Sequence, residues 1–164
     1  MGHEVIIRQV EEKDNKILAG IIRDAFIQFK APTENTVFED PTTDQLYQLF
    51  KTPGAVLWVA GQNATLLGCC GIYPTPGLPE GCAELVKFYL SAAARGKGIG
   101  KKLFTRCLES ARELGYKQVY LESLPEFSTA VGMYQKLGFQ SLDHPLGNSG
   151  HIGCTIWMIK ALIP

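Results

Sequence analysis

An α/β fold, in which an apolar mixed sheet of about seven strands is flanked by about four helices, is predicted by three features of the sequence. Short β-rich runs alternate with stretches whose apolar residues fall at helical spacing. Glycine, proline and asparagine punctuate the joins, and a glycine-rich segment couples one apolar strand to one amphipathic helix. The predicted order is β-α-α-β-β-β-α-β-α-β-β.

Glu4 to Gln9 reads as the first strand. Asp14 or Asn15 can cap the first helix, whose Ile17, Leu18, Ile21, Ile22, Ala25, Phe26 and Phe29 form one stripe. Ala31 to Pro41, with two prolines, is a loop suited to bordering a cleft, and Thr42 or Thr43 starts a short helix carrying Leu46, Leu49 and Phe50. Ala55 to Gly61 and Ala64 to Tyr73 form a hairpin about Gln62-Asn63. A loop from Pro74 to Gly81 leads to a strand beginning near Cys82 and running through Glu84 to Leu90. Ile99, Leu103, Phe104, Cys107, Leu108, Ala111 and Leu114 mark a helix that Gly115 can end in the left-handed conformation. Lys117 to Leu124 is the fifth strand, broken by Pro125, and a helix from about Phe127 to Leu137 ends at Gly138. Gln140 to Asp143 and Gly153 to Lys160 then pair across the loop from Pro145 to Gly150.

At 164 residues and 46% hydrophobic composition, the chain is expected to form one domain over residues 1–164 with a sizeable core. Sixteen basic residues balance sixteen acidic ones, so no global field draws it to nucleic acid or to an anionic membrane surface. Met1 to Ile6 has no basic region ahead of an apolar run, and Ile6 stands where a myristoylation signal takes Ser or Thr. Five cysteines, odd in number and without a Cys-x-x-Cys pair, fit a reduced cytoplasmic protein that uses them as small core residues. His151 and Cys154 alone make no metal site.

The segment Arg95-Gly96-Lys97-Gly98-Ile99-Gly100-Lys101 concentrates three glycines and three cations where a helix begins. The first turn of a helix carries unpaired N–H groups and the positive end of the dipole, so glycines there let a phosphate approach the backbone. A Walker loop requires glycine five residues after Gly96, where Lys101 stands. The dinucleotide fingerprint requires glycine at position 101 or 103, which hold Lys101 and Leu103. What remains is Arg95-x-x-Gly98-x-Gly100, which resembles the pyrophosphate-binding motif of the GNAT superfamily of N-acetyltransferases. Ala130 to Phe139 likewise resembles that family's late helix, in which Ala, Tyr four residues on, and Gly-Phe recur. One departure is Phe127, where the family often has Asn; Ser128 or Thr129 can take over its contact.

The resemblance implies a GNAT-like fold and acetyl-CoA as donor, with its pyrophosphate on the backbone from Gly96 to Lys101, a stretch that includes Lys97, Gly98, Ile99 and Gly100. Arg95 either assists electrostatically or holds the loop by a structural hydrogen bond. The pantetheine arm would pair with an open strand edge around Phe88, Tyr89 and Leu90. Tyr134 matches the tyrosine that protonates the departing thiolate. Glu84 is the leading base, directly or through water, with Glu122 the alternative; strand alternation puts Glu84, Val86, Phe88 and Leu90 on one face. His144 and His151, on either side of the last loop, suit acceptor binding as well as a plain solvated hairpin.

The implied activity is transfer of an acetyl group to a primary amine by direct attack in a ternary complex, without metal. A covalent route through cysteine is the weaker mechanism. The acceptor is a small-molecule or peptide amine. The late hairpin offers a surface for a homodimer. The alternative is a catalytically silent coenzyme A-binding sensor or interaction module on the same fold, and a nucleotide-binding regulatory domain needs only the phosphate loop.

Overall fold

Alternate residues of the central strands feed two separate apolar layers. Trp58, Ala60, Cys70 and Ile72 pack to one side of the sheet, while Leu57, Val59 and Cys69 pack to the other. The computed structural model describes residues 4–162; residues 1–3, which open the segment read for export and lipid signals, lie outside that range. The strands are β1 (Ile6–Gln9), β2 (Val56–Gln62), β3 (Thr65–Tyr73), β4 (Cys82–Leu90), β5 (Gln118–Ser123), β6 (Gln140–Leu142) and β7 (Ile156–Ala161). The helices are α1 (Asn15–Gln28), α2 (Leu46–Leu49), α3 (Ile99–Glu113) and α4 (Ser128–Lys136), with short 3-10 turns between elements.

The strands form one sheet in the order β1-β2-β3-β4-β5-β7-β6. All neighbours are antiparallel except β4 and β5. That parallel pair has a crossover through α3, whose Leu103, Phe104, Cys107 and Ala111 are buried against the sheet. On the opposite face α1 buries Leu18, Ile21, Ile22 and Phe26. Fully burying a side chain such as Phe26 is worth about 1.5–3 kcal/mol, so these stripes fix which way each helix faces. Ile17 and Phe29, at the margins of the predicted stripe, stay partly in solvent.

The predicted elements are all present, with ends moved by a few residues. The first strand begins at Ile6 rather than Glu4. Asp14 does not cap α1 through its side chain; its carboxylate binds Arg8 at 2.8 and 3.0 Å and the Glu11 N–H at 2.8 Å. The stretch expected to open the short helix is a 3-10 turn, Pro41–Asp44, capped by Asp40, which accepts from the Thr42 N–H at 2.9 Å; α2 itself follows Gln45 with no side-chain cap. Cys154, expected in the last strand, precedes β7 in a loop.

Candidate active site

The glycine segment builds a wall for a cleft of about 380 Å³. Gly96 and Gly98 both take φ +77°, a left-handed conformation that side chains resist, and the space beyond each is open. Gly98 begins α3 without a side chain to cap it, so the N–H groups of Ile99, Gly100 and Lys101 lack intrahelical acceptors. Gly100 serves packing instead, since a Cβ there would stand 3.1 Å from Phe88 Cζ and 3.3 Å from Leu90 Cδ1. Its absence lets α3 close on β4. Gly96, Gly98, Gly100 and Lys101 line the cleft, together with Ser128 and Thr129 from α4. Lys97 is exposed and the Ile99 side chain is buried in the core, and neither residue lines the cleft.

Arg95 also borders the cleft, but its guanidinium is occupied. It donates to the Leu90 carbonyl at 2.9 Å and to Gln28 Oε1, and it lies over the Phe29 ring at 4.7 Å. These contacts tie the loop to β4 and α1.

Beyond Glu84 the sheet opens. β5 pairs with β4 only through Cys82, Ala83 and Glu84, while β3 follows β4 on its other side as far as Leu90. The stretch from Leu85 to Leu90 therefore has no strand partner on the β5 side, where Phe88, Tyr89 and Leu90 line the cleft. A bulge interrupts β4 at Lys87, which takes φ +57°, and the Cys69 thiol holds the Lys87 carbonyl at 3.0 Å. The bulge overturns the expected alternation. Glu84 and Phe88 do not share a face: Val86 packs with the α1 layer, whereas Phe88 and Leu90 pack with the α3 layer.

A second, smaller cavity of about 80 Å³ lies on the Glu84 side of the same opening. Glu84, Lys87, Glu122, Tyr134, His151 and Cys154 line it. Phe88, Tyr89, Phe127 and Ala130 line both cavities and form their junction. Glu84 is 3% exposed and accepts a hydrogen bond from the Thr75 hydroxyl at 2.6 Å. Burial pushes its carboxyl up to about 7; nearby Glu122 adds to the rise, while Thr75 and the charge of Lys87 oppose it. Glu122 accepts from the hydroxyls of Tyr120 and Ser149, each at 2.6 Å. Asp40 meets His151 Nε2 at 2.7 Å. Burial lowers the His151 pKa, so the ring is neutral and donates Nε2–H to the carboxylate. Burial also works against the Asp40 charge, but the bonds from His151 and Thr42 outweigh it and hold Asp40 down at about 2.

Tyr134 is buried, with its ring stacked among Phe88, Phe104 and Phe139 at centroid distances of 5.7 to 6.2 Å. Burial raises its phenol pKa, so it keeps its proton at neutral pH. Burial likewise pushes the Cys154 thiol up to about 12, which leaves no thiolate nucleophile there.

The structure thus brings Glu84 and Tyr134 into one cavity and the glycine loop into the adjoining cleft. Of the two histidines, His151 lines the small cavity and His144 is exposed. Trp58 belongs to the core, where it donates to Ser110 at 2.7 Å. Lys87, Asp40 and Thr75 did not stand out in the sequence. The signal for Lys87 was a cation inside the apolar run from Leu85 to Leu90. Among the described residues no cluster of candidate metal ligands exists, and no helix is long and apolar enough to cross a membrane.

Comparison with known proteins gives a consistent result. The chain is 35% identical over 158 residues to the uncharacterized N-acetyltransferase YjgM of Escherichia coli (strain K12), spanning 96% of this chain and 95% of that one. Its fold matches a GNAT-family acetyltransferase of Staphylococcus aureus Mu50 with a TM-score of 0.85 at 19% identity, covering 98% of this chain and 100% of the other. It also matches YncA of Salmonella typhimurium, a putative acetyltransferase solved with its cofactor acetyl-CoA, with a TM-score of 0.76 at 17% identity over 98% and 95% of the two chains. Residues 22–139, which span the second half of the first helix, the opened strands and the glycine loop through Phe139, match the acetyltransferase (GNAT) family, and the chain belongs to that family of N-acetyltransferases.

Proposed function

We propose that the protein transfers an acetyl group from acetyl-CoA to a primary amine by direct attack within a ternary complex, as one catalytic domain over residues 1–164. The observation that carries this reading is the junction at Phe88, Tyr89, Phe127 and Ala130, where the large cleft meets the small cavity holding Glu84 and Tyr134. The residues of the large cleft fit the donor. Open space beyond Gly96 and Gly98, and unpaired N–H groups at the start of α3, suit a pyrophosphate. The unpartnered edge of β4 suits an amide-bearing arm.

Acetyl-CoA would supply an activated acyl carbon and depart as a thiolate. Glu84, with its carboxyl near 7, takes a proton from the amine directly or through water. Tyr134, still protonated, gives its phenol proton to the sulfur. The aromatic walls at the junction exclude water from the acyl group. Acceptors are small-molecule or peptide amines.

A thiol-release assay with a broad amine panel, followed by mass analysis of the products, tests this reading. Acceptor-dependent release with one acetyl added to the amine is expected. Coenzyme A binding without release for any amine contradicts it and points to a silent binding module.

A further inference from the structure

Lys87 is the one buried lysine among the described residues, at 6% exposure. The left-handed bulge of β4 carries it into the wall of the small cavity, and among the described residues its ammonium has no hydrogen-bond or ion-pair partner. Each nearby carboxylate is already served. Asp40 takes bonds from His151 and from the N–H and hydroxyl of Thr42. Glu84 takes one from Thr75, and Glu122 takes two, from Tyr120 and Ser149. Asp40 and Glu84 act on the ammonium through their charge, and neither places an oxygen within bonding distance of it. A buried cation without a bonded partner is costly, and burial lowers the Lys87 pKa against the pull of Asp40 and Glu84; a ligand oxygen bearing negative charge would complete the site. The cavity, about 80 Å³ and walled in part by Phe26, Val37 and Leu124, admits only a compact group.

We propose that Lys87 binds the carboxylate of the acceptor, so that the preferred acceptors are small amino acids whose amine lies toward Glu84. This rests on the acetyl-transfer reading above. A carboxylate oxygen supplies the missing partner, and the Lys87 charge also favours the neutral form of an adjacent amine, the form that attacks a thioester. An alkylamine would leave the buried ammonium unpaired, and an amino-acid amide would offer it only a neutral carbonyl oxygen in place of a charged one.

The test compares glycine, alanine and serine with their amides and with unsubstituted alkylamines, using wild-type protein at saturating acetyl-CoA. The free acids should exceed the amides in kcat/KM by roughly tenfold or more, as loss of one charge-assisted hydrogen bond implies. In Lys87→Met the ratio of acid to amide should collapse toward one through a rise in KM for the acids, and Lys87→Arg should restore part of it. Equal use of acids and amides by the wild type, or a ratio unchanged in Lys87→Met, overturns the inference. Acetylation of amides or alkylamines with none of the amino acids overturns it while leaving acetyl transfer standing. Absence of acceptor-dependent thiol release with every amine sinks both. The wild-type comparison decides the matter even if a Lys87 variant fails to fold.

Discussion

Thr75 donates its hydroxyl to Glu84 at 2.6 Å, placing a single polar contact on a carboxyl that is otherwise almost wholly buried. Burial has raised that group to about 7, and the Thr75 bond, which favours the ionised form, holds it from rising further. A base must be ionised to accept a proton. The rate through kcat/KM should therefore climb as pH rises through about 7 and level off above it. Glu84→Gln should remove that limb and lower kcat by roughly 10²-fold or more. Thr75→Val should shift the limb upward by roughly 0.7 pH unit, for a bond worth about 1 kcal/mol. A limb that persists in Glu84→Gln assigns the titration to another group.

Tyr134→Phe keeps the ring packed against Phe104 and Phe139 and removes only the phenol oxygen. Coenzyme A affinity by calorimetry should stay within about twofold, while kcat falls by roughly 10²-fold or more. Unchanged turnover would take the acid role from Tyr134.

Gly98→Ala forces a side chain into the left-handed region at φ +77°, at a cost of about 1–2 kcal/mol. Relaxing that strain moves the first N–H groups of α3, and the affinity for coenzyme A should drop roughly tenfold. Because the space beyond Gly98 is open, a steric clash cannot account for the loss. Gly100→Ala, which meets Phe88 at 3.1 Å, should instead lower the unfolding midpoint as well.

Asp14, 2% exposed, is held by Arg8 and by the Glu11 N–H. Burial opposes its charge, but those bonds prevail and lower its pKa. A lowered carboxyl contributes stability above its unfolded value, near 3.8, and that contribution is lost as pH falls through the folded value. Asp14→Ala should cost roughly 2–4 kcal/mol at neutral pH by urea titration. The gap between variant and wild type should close below about pH 4.

The glycine loop and the helix bearing Tyr134 were legible in the sequence as structural elements because their signals are local. Gly98 and Gly100 act through backbone positions two residues apart, and Tyr134 sits at fixed spacing from Ala130 and Gly138. The small cavity was not legible in the same way. Asp40 and His151 meet across 111 residues, and Glu84 depends on Thr75 from the loop before its own strand. The bulge at Lys87 arises from how β4 registers with β3, which alternation along one strand does not encode. A slip at that position turned Phe88 and Leu90 away from the face of Val86 and brought a lysine into the cavity.

The central claim is that one donor spans the glycine loop and the junction, with its sulfur at Tyr134. A crystal structure of the protein with acetyl-CoA tests this most directly. The account predicts the pyrophosphate against the N–H groups between Gly96 and Lys101, and the sulfur within about 3.5–4 Å of the Tyr134 hydroxyl. A donor bound with its sulfur outside the junction of Phe88, Tyr89, Phe127 and Ala130, away from Tyr134, would contradict it.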